Sequence, residues 1–338
     1  MKHFHAPFRR FLVKRLRSHF YERAQLKDIS FAVEKMLKMS PVAAEQRAQA
    51  GAARRAKLNR LLWDERPGRA LRSLRRAETA RGLAQAAREL ETYAGTSYLL
   101  ALPLTVSSVL LLARLTEDES RRFCLIGTPL TCRYLKPLLD GQAGGRVKLL
   151  SSSEMLAHNL RRLETGSAEA VTYVTFPDHQ TTAGDTMWRV TFLGEAYQFT
   201  TLEPLLFFRG LAPLFTLDAS AYGSAGRLSL AAYPGRGRPE TFSEADVRAV
   251  LDWLAGHMEH VFREMPADVL SWTLAISRSS RIKAQITVMK LKLVEGYLRA
   301  WRASDTALSA DTYAWSVTEL RKLQETVNAS DRHTNAAA

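Results

Sequence analysis

Short apolar runs recur along the middle of the chain at Tyr98–Leu102, Phe123–Ile126, Val147–Leu150 and Val171–Phe176, with segments of helical length and Gly-containing turns between them. That alternation predicts a strand–helix–strand layer with a substantial parallel sheet. Later runs at Arg189–Leu193, Leu211–Leu217 and Leu228–Tyr233 predict further strands, with a glycine turn at Gly223–Gly226 between the last two. The longest apolar stretch, Tyr98 to Ala113, is shorter than the roughly 20 residues that span a bilayer. It also contains Pro103, Thr105, Ser107 and Ser108. It reads as a buried strand followed by the start of a helix.

Other segments carry the helical period. Ser243 stands at an N-cap position, with Glu244 and Asp246 in the first turn, where the helix dipole favours acids. Val247, Val250, Leu251, Leu254, Met258, Val261 and Phe262 then share one face, and Pro266 ends the helix. Residues 282–302 repeat the pattern through Ile286, Met289, Leu293 and Tyr297. At the start of the chain Phe4, Phe8, Phe11, Leu12, Leu16 and Phe20 recur at helical spacing, with Arg9, Arg10, Lys14, Arg15 and Arg17 mostly between them. Such a stripe lies on an anionic membrane surface or packs on the domain with its basic side in water. Residues 42–91 predict two or three helices, interrupted at Pro67-Gly68.

Charge sharpens this division. The 338-residue chain carries a net charge of +14. Residues 1–91 hold 22 Lys/Arg against 9 Asp/Glu, and the remainder holds 26 against 25. Basicity on one arm suits anionic lipid or nucleic acid. Arg72, Arg75 and Arg76 fall on one helical side without aromatic interleaving, which suits a solvated face better than a nucleic-acid stripe. Phe11-Leu12-Val13 is too short for a signal-peptide core. The two cysteines, Cys124 and Cys132, form neither a CxxC pair nor part of a metal cluster, which suits a reducing compartment and core positions.

Few residues offer chemistry. Asp178 and His179 follow a predicted strand, where α/β folds place their sites. His179 is a candidate base, with Asp185 or Glu195 as a partner, or else the pair forms a turn that shapes the site. Thr105, Ser107 and Ser108 are candidate substrate contacts, or buried hydroxyls bonded to backbone at a helix start. His257 and His260 lie three apart, but metal binding needs a further ligand on an inward face, so they read as surface histidines and no metal is expected. Arg133, Lys136, Arg161 and Arg162 are candidate contacts for an acidic partner or phosphate.

Tyr173–Gln180, Val190–Thr201 and Phe242–Trp272, in that order within residues 80–275, resemble segments of the bacterial lipid A lauroyl/myristoyl acyltransferase family. Tyr173-Val-Thr-Phe-Pro177-Asp178-His179-Gln180 looks like that family's strand ending in a Pro-Asp-His/Gln turn. Val190-Thr-Phe192-Leu-Gly194-Glu-Ala196-Tyr-Gln-Phe199-Thr200-Thr201 is similar to its Phe-Phe-Gly, small residue, Thr-Thr pattern, followed by an apolar helix and a strand at Arg209-Gly210-Leu-Ala212-Pro-Leu. Phe242 to Trp272 matches its helix, Glu and closing Pro…Trp, here Glu264-Met-Pro266-Ala-Asp-Val-Leu270-Ser-Trp272.

The resemblance implies a glycerolipid acyltransferase-like α/β fold with a mixed, largely parallel sheet flanked by helices. Charge, periodicity and composition complete the organisation: a basic helical region (1–91), the α/β domain (92–275), a helical extension (276–327) and a disordered tail (328–338). The resemblance adds Arg189, Gly194, Thr200 and Arg209 to the candidate substrate contacts. The implied activity is transfer of an acyl chain from acyl-carrier protein or acyl-coenzyme A to a hydroxyl or amine of a lipid or glycolipid, at the cytoplasmic face of the inner membrane and without a cofactor. Nucleic acid explains only the charge.

One departure bears on that activity. The family's base is a His followed by four residues and then Asp or Glu, the acid orienting the imidazole that deprotonates the acceptor. The equivalent stretch, Ala101-Leu-Pro-Leu-Thr-Val-Ser-Ser-Val109, holds neither, and no histidine of the chain has an acid five positions on. The alternative expectation is therefore a catalytically degenerate relative that binds lipid, acyl-carrier protein or a partner enzyme.

Overall fold

The computed structural model describes residues 25–63, 83–93, 95–116, 121–128, 146–167, 169–178, 187–210, 212–220, 227–235, 242–279 and 281–289. The chain divides into two units, Met1–Ala275 and Ile276–Ala338. The aromatic–basic segment before residue 25, the Arg72–Arg76 stripe, the Gly223–Gly226 turn and the tail lie outside the described residues.

The first unit is an α/β layer structure. Helices α1 (residues 25–37), α2 (Pro41–Trp63) and α3 (Leu83–Glu91) precede strand β1 (Tyr98–Ala101) and helix α4 (Val106–Leu115). Strands β2 (Arg122–Ile126) and β3 (Val147–Leu150) follow, then α5 (Ser152–Glu164) and β4 (Val171–Thr175). A hairpin of β5 (Met187–Phe192) and β6 (Glu195–Thr200) leads to α6 (Leu202–Gly210), β7 (Leu214–Ser220), β8 (Arg227–Ala232) and α7 (Glu244–Glu264). The main sheet has the order β3-β2-β4-β1-β7-β8, parallel throughout except for the antiparallel edge strand β8.

Strands β1 and β4 are buried at every position, and their sequences, Tyr-Leu-Leu-Ala and Val-Thr-Tyr-Val-Thr, lack the polar alternation of a half-solvated strand. That is the signature of a central parallel strand covered on both faces. Two groups of helices are in contact among themselves: α4 touches both α2 and α3, and α6 touches both α5 and α7. In α4, Val109, Leu110, Leu111 and Leu112 are all at most 1 % exposed. Each fully buried leucine contributes about 1.5–3 kcal/mol. This helix is apolar all round because it is an interior element, which is why the stretch from Tyr98 is long yet spans nothing.

The long helix α7 follows its sequence pattern closely. Ser243 caps it, forming a reciprocal capping box with Asp246, and the seven apolar positions of its predicted face are all buried. The chain leaves the helix at Met265, directly before Pro266. Strand β6 is an addition to the expected elements: the turn at Leu193-Gly194 folds it back on β5 in full register. Both turn residues have positive φ, 55° and 75°, the requirement of a tight hairpin turn.

At the end of the sheet where β1 and β4 begin, Arg121 is buried at 4 % exposure. Its guanidinium donates to the carbonyls of Tyr93 (2.7 Å) and Thr96 (3.0 Å) and to Thr172 Oγ1 (3.0 Å), and lies 4.4 Å from the Tyr98 ring centre. In the second unit, residues 281–289 are helical, with Ser279 Oγ accepting from the Ile282 N–H and with Ile282 and Ile286 buried four apart. Leu293 and Tyr297 lie outside the described residues.

Candidate functional site

Four of the residues singled out from sequence, Thr105, Ser107, Ser108 and Asp178, lie at the opposite end of the sheet, where β1 and β4 finish side by side with Ala101 opposite Thr175. After β1 the chain passes through Leu102, Pro103 and Leu104 into α4, with Thr105 as an extended N-cap. A helix start exposes N–H groups that need acceptors. Ser108 N–H donates to Thr105 Oγ1 (3.0 Å), Val106 N–H to the Asp268 carbonyl (2.9 Å) and Ser107 N–H to Asp268 Oδ2 (2.9 Å). One residue before the cap, Leu104 N–H donates to both carboxylate oxygens of Asp178, at 3.0 and 3.1 Å.

The hydroxyls are used in the same way. Ser107 Oγ donates to Asp268 Oδ2, Ser108 Oγ to the Pro103 carbonyl (2.6 Å), and Ser271 Oγ to Asp178 Oδ2 (2.5 Å). Tyr197 Oη, from β6, reaches the Asp178 carbonyl at 3.2 Å. Arg54, from α2, approaches Asp268 Oδ1 at 3.3 Å. Both carboxylates therefore sit at a helix start, where the dipole favours negative charge, and hydrogen bonds to a charged acceptor are the stronger kind.

Burial decides what this arrangement can do. Thr105, Ser107, Ser108 and Asp178 are wholly buried, and Asp268 and Ser271 are 1 % exposed. A serine acts as a nucleophile only when a base within reach can take its proton and a substrate can approach its oxygen. Asp268, which engages Ser107 through both N–H and O–H, holds the first turn of α4 in the manner of a cap. Thr105 and Ser108 are bonded locally at the helix start, whereas the Ser107 hydroxyl is held by the remote Asp268 side chain.

The other candidates are dispersed. Thr200 is buried, with its hydroxyl 3.3 Å from a buried Glu203 carboxylate at the start of α6. Gly194 is exposed in the hairpin turn, and Arg189 and Arg209 are exposed on β5 and α6. Arg161 and Arg162 lie in the last turn of α5. His179, Asp185, Arg133, Lys136 and Cys132 lie outside the described residues. Leu193, beside Gly194, donates its N–H to Glu259 on α7, which ties the hairpin to that helix.

A second group of reactive types lies between β2, β4 and α5. His158 Nδ1 is 3.1 Å from Tyr173 Oη, and Cys124 Sγ is 3.9 Å from the same nitrogen. Burial pushes the Cys124 thiol up to about 11 and the Tyr173 phenol up to about 12. Burial, then the cations Lys148, Arg162 and Arg161, hold His158 below its ordinary value. A thiol so raised stays protonated at neutral pH, and the thiolate is the nucleophile. Cys124 is thus a core residue.

The third group was half visible in the sequence. His257 and His260 face a third ligand type, Asp218 of β7: His257 Nδ1 is 3.1 Å from Asp218 Oδ2, and His260 Nδ1 is 3.0 Å from Asp218 Oδ1. The spacing of the histidines predicted a shared helical face. Only the packing of α7 on β7 brings the aspartate to it.

No protein-family model matches this chain, and a comparison with the curated proteins finds no match.

Proposed function

We propose that the chain is an acyltransferase-like scaffold that binds acyl chains, as lipid or on a carrier protein, without transferring them. One observation carries this reading. The segment Ala101–Val109, in the position where the resembled family keeps its His and acid, holds neither, and its hydroxyls are consumed in a buried cap between Asp178 and Asp268. A general base needs hydrogen-bond reach, about 2.6–3.2 Å, to the proton it removes. The serines that stand there are wholly buried, Ser107 on the Asp268 carboxylate and Ser108 on the Pro103 carbonyl, and a hydroxyl is not a base of that kind. Loss of a general base costs about 10²–10⁴ in rate, more than a specialised transferase tolerates.

The scaffold part of the reading rests on order. The Pro177-Asp178 turn after β4, the Leu193-Gly194 hairpin, the apolar helix α6 and the helix ending before Pro266 follow one another as in the resembled family, around a mostly parallel sheet. The aromatic and basic stripe of residues 4–20 suits an anionic membrane surface, which would put the protein at the cytoplasmic face of the inner membrane. No described helix is long and apolar enough to cross a membrane.

A second reading, transfer with His179 as the relocated base, draws on Asp178. Asp178 is anchored at the ends of β1 and β4, the end of the sheet at which α/β folds bind ligands, and His179 is its neighbour in the sequence, outside the described residues. Labelled acyl-carrier protein incubated with a total lipid extract separates the two. Saturable binding without transfer supports the binding protein, and transfer that His179→Ala abolishes overturns it in favour of the enzyme. Neither binding nor transfer removes both.

A further inference from the structure

We infer that Asp218, His257 and His260 form a binding site for a divalent transition-metal ion of the zinc class. The ligand atoms of the three side chains lie within 4.8 Å of one another. Two neutral imidazoles and a carboxylate are a borderline donor set, which selects zinc and its first-row neighbours over calcium or magnesium. Zinc bonds of about 2.0–2.2 Å to nitrogen and oxygen put tetrahedral ligand atoms a little over 3 Å apart. Each histidine nitrogen lies near that spacing from one carboxylate oxygen of Asp218, His257 at 3.1 Å from Oδ2 and His260 at 3.0 Å from Oδ1.

The two histidines differ in a way that a shared ion explains. His260 Nδ1 makes an aligned hydrogen bond to Asp218 Oδ1. His257 Nδ1 is just as near to Oδ2, yet it is buried and has no aligned hydrogen-bond partner. A proton on that nitrogen would point past the carboxylate, which leaves a buried polar atom unsatisfied. A cation between the three groups takes the lone pair of each ring and needs no N–H···O alignment.

The supports are rigid. Asp218 sits in a strand paired on both sides of its position in the hairpin β7–β8, opposite Ser229. His257 stacks edge-on against Trp253, with ring centres 4.7 Å apart. Sites built on strands and helices hold ligand geometry better than sites on loops. His260 is 60 % exposed, so the ion is reachable from solvent. Three protein ligands leave the fourth position of a tetrahedral ion open to water or a small anion.

The test is zinc binding to the full metal-free chain by calorimetry, with cobalt as a spectroscopic substitute. Even loss of an outer partner of a ligand costs about 10–100-fold in affinity, so His260→Gln and Asp218→Asn are each expected to weaken the site by at least about tenfold. The exposed His260→Gln is the variant least able to disturb folding. In the native chain, cobalt is expected to give visible bands of a tetrahedral N/O site, which both variants lose. Absence of saturable zinc binding overturns the proposal. So does binding that both variants retain at full strength, because the histidines His3 and His5 would then account for it.

Discussion

The Ser271 hydroxyl donates to the Asp178 carboxylate at 2.5 Å, although 93 positions separate them in the chain. Asp178 thereby joins the end of β4 to the segment that follows α7, and through Leu104 N–H it also holds the approach to α4. Asp178→Ala leaves that N–H and the serine hydroxyl buried without their acceptor. Each orphaned group costs about 1–3 kcal/mol, so a loss of about 3 kcal/mol or more is expected. Asp178→Asn keeps one acceptor oxygen and should lose less. Urea unfolding at neutral pH measures both, and an Asp178→Ala protein of native stability would sink the capping role.

A close approach between two helices gives a second prediction. A Cβ at Gly210, the last residue of α6, would lie 2.8 Å from Asn159 Nδ2 of α5. Asn159 is itself buried and its Oδ1 lacks a partner, so the amide is held by packing. Gly210→Ala is expected to destabilise by about 1–3 kcal/mol through overpacking. In Gly210→Ala combined with Asn159→Ala the clash is gone, and the combined loss should fall well short of the sum of the single losses. Strict additivity in thermal unfolding would rule out the contact as the cause.

These two residues also mark how far the sequence is readable. The strands and α7 were legible because burial on both faces writes unbroken apolar runs and burial on one face writes a 3.6-residue period. Strand β6 carried a period-2 signal as well, with Tyr197 and Phe199 buried and Ala196 and Gln198 exposed. That signal lies within Val190–Thr201, where the family-like pattern runs across strand, turn and strand without a break. The site was less legible for a different reason. Thr105, Ser107 and Ser108 were visible as hydroxyls at a helix start, but their decisive partner, Asp268, lies 161 positions from Ser107. The ligand that Asp218 offers His257 and His260 is equally remote, supplied from another element by packing. Periodicity records which face is buried, and it does not record what a buried face meets.

Titration of His158 supplies a third prediction, with its sign fixed by linkage. Burial, aided by Lys148, Arg162 and Arg161, lowers the folded-state value beneath the ordinary 6.5. Between the unfolded value and the lower folded one, the unfolded chain takes up a proton that the folded chain refuses. Stability contributed at this position is then complete above about pH 6.5 and is lost as pH falls below it. His158→Gln removes the titrating group. The difference in melting temperature, native minus variant, should therefore shrink from pH 7.5 to pH 5.5. A difference that grows on acidification would mean that the imidazole is stabilised in its charged form.

Arg121 offers the sharpest test of the far end of the sheet, because charge and geometry make opposite predictions there. If a positive charge beneath Tyr98 were all that mattered, Arg121→Lys would be nearly neutral. The guanidinium, however, uses two nitrogens to serve three acceptors on separate segments, the Tyr93 and Thr96 carbonyls before β1 and Thr172 on β4, while its central carbon lies over the Tyr98 ring. An ammonium is a compact, strongly hydrated point charge and cannot reproduce that planar fork or its stacking. At 4 % exposure, water has little access to replace the missing donors. Unmet buried acceptors cost about 1–3 kcal/mol each, so Arg121→Lys is expected to lose about 2 kcal/mol or more. Arg121→Met, which also abandons the charge and leaves all three acceptors unmet, is expected to lose at least as much. Chemical denaturation of the two variants beside the native chain decides the matter. A lysine variant of native stability, paired with a damaged methionine variant, would assign the effect to charge alone.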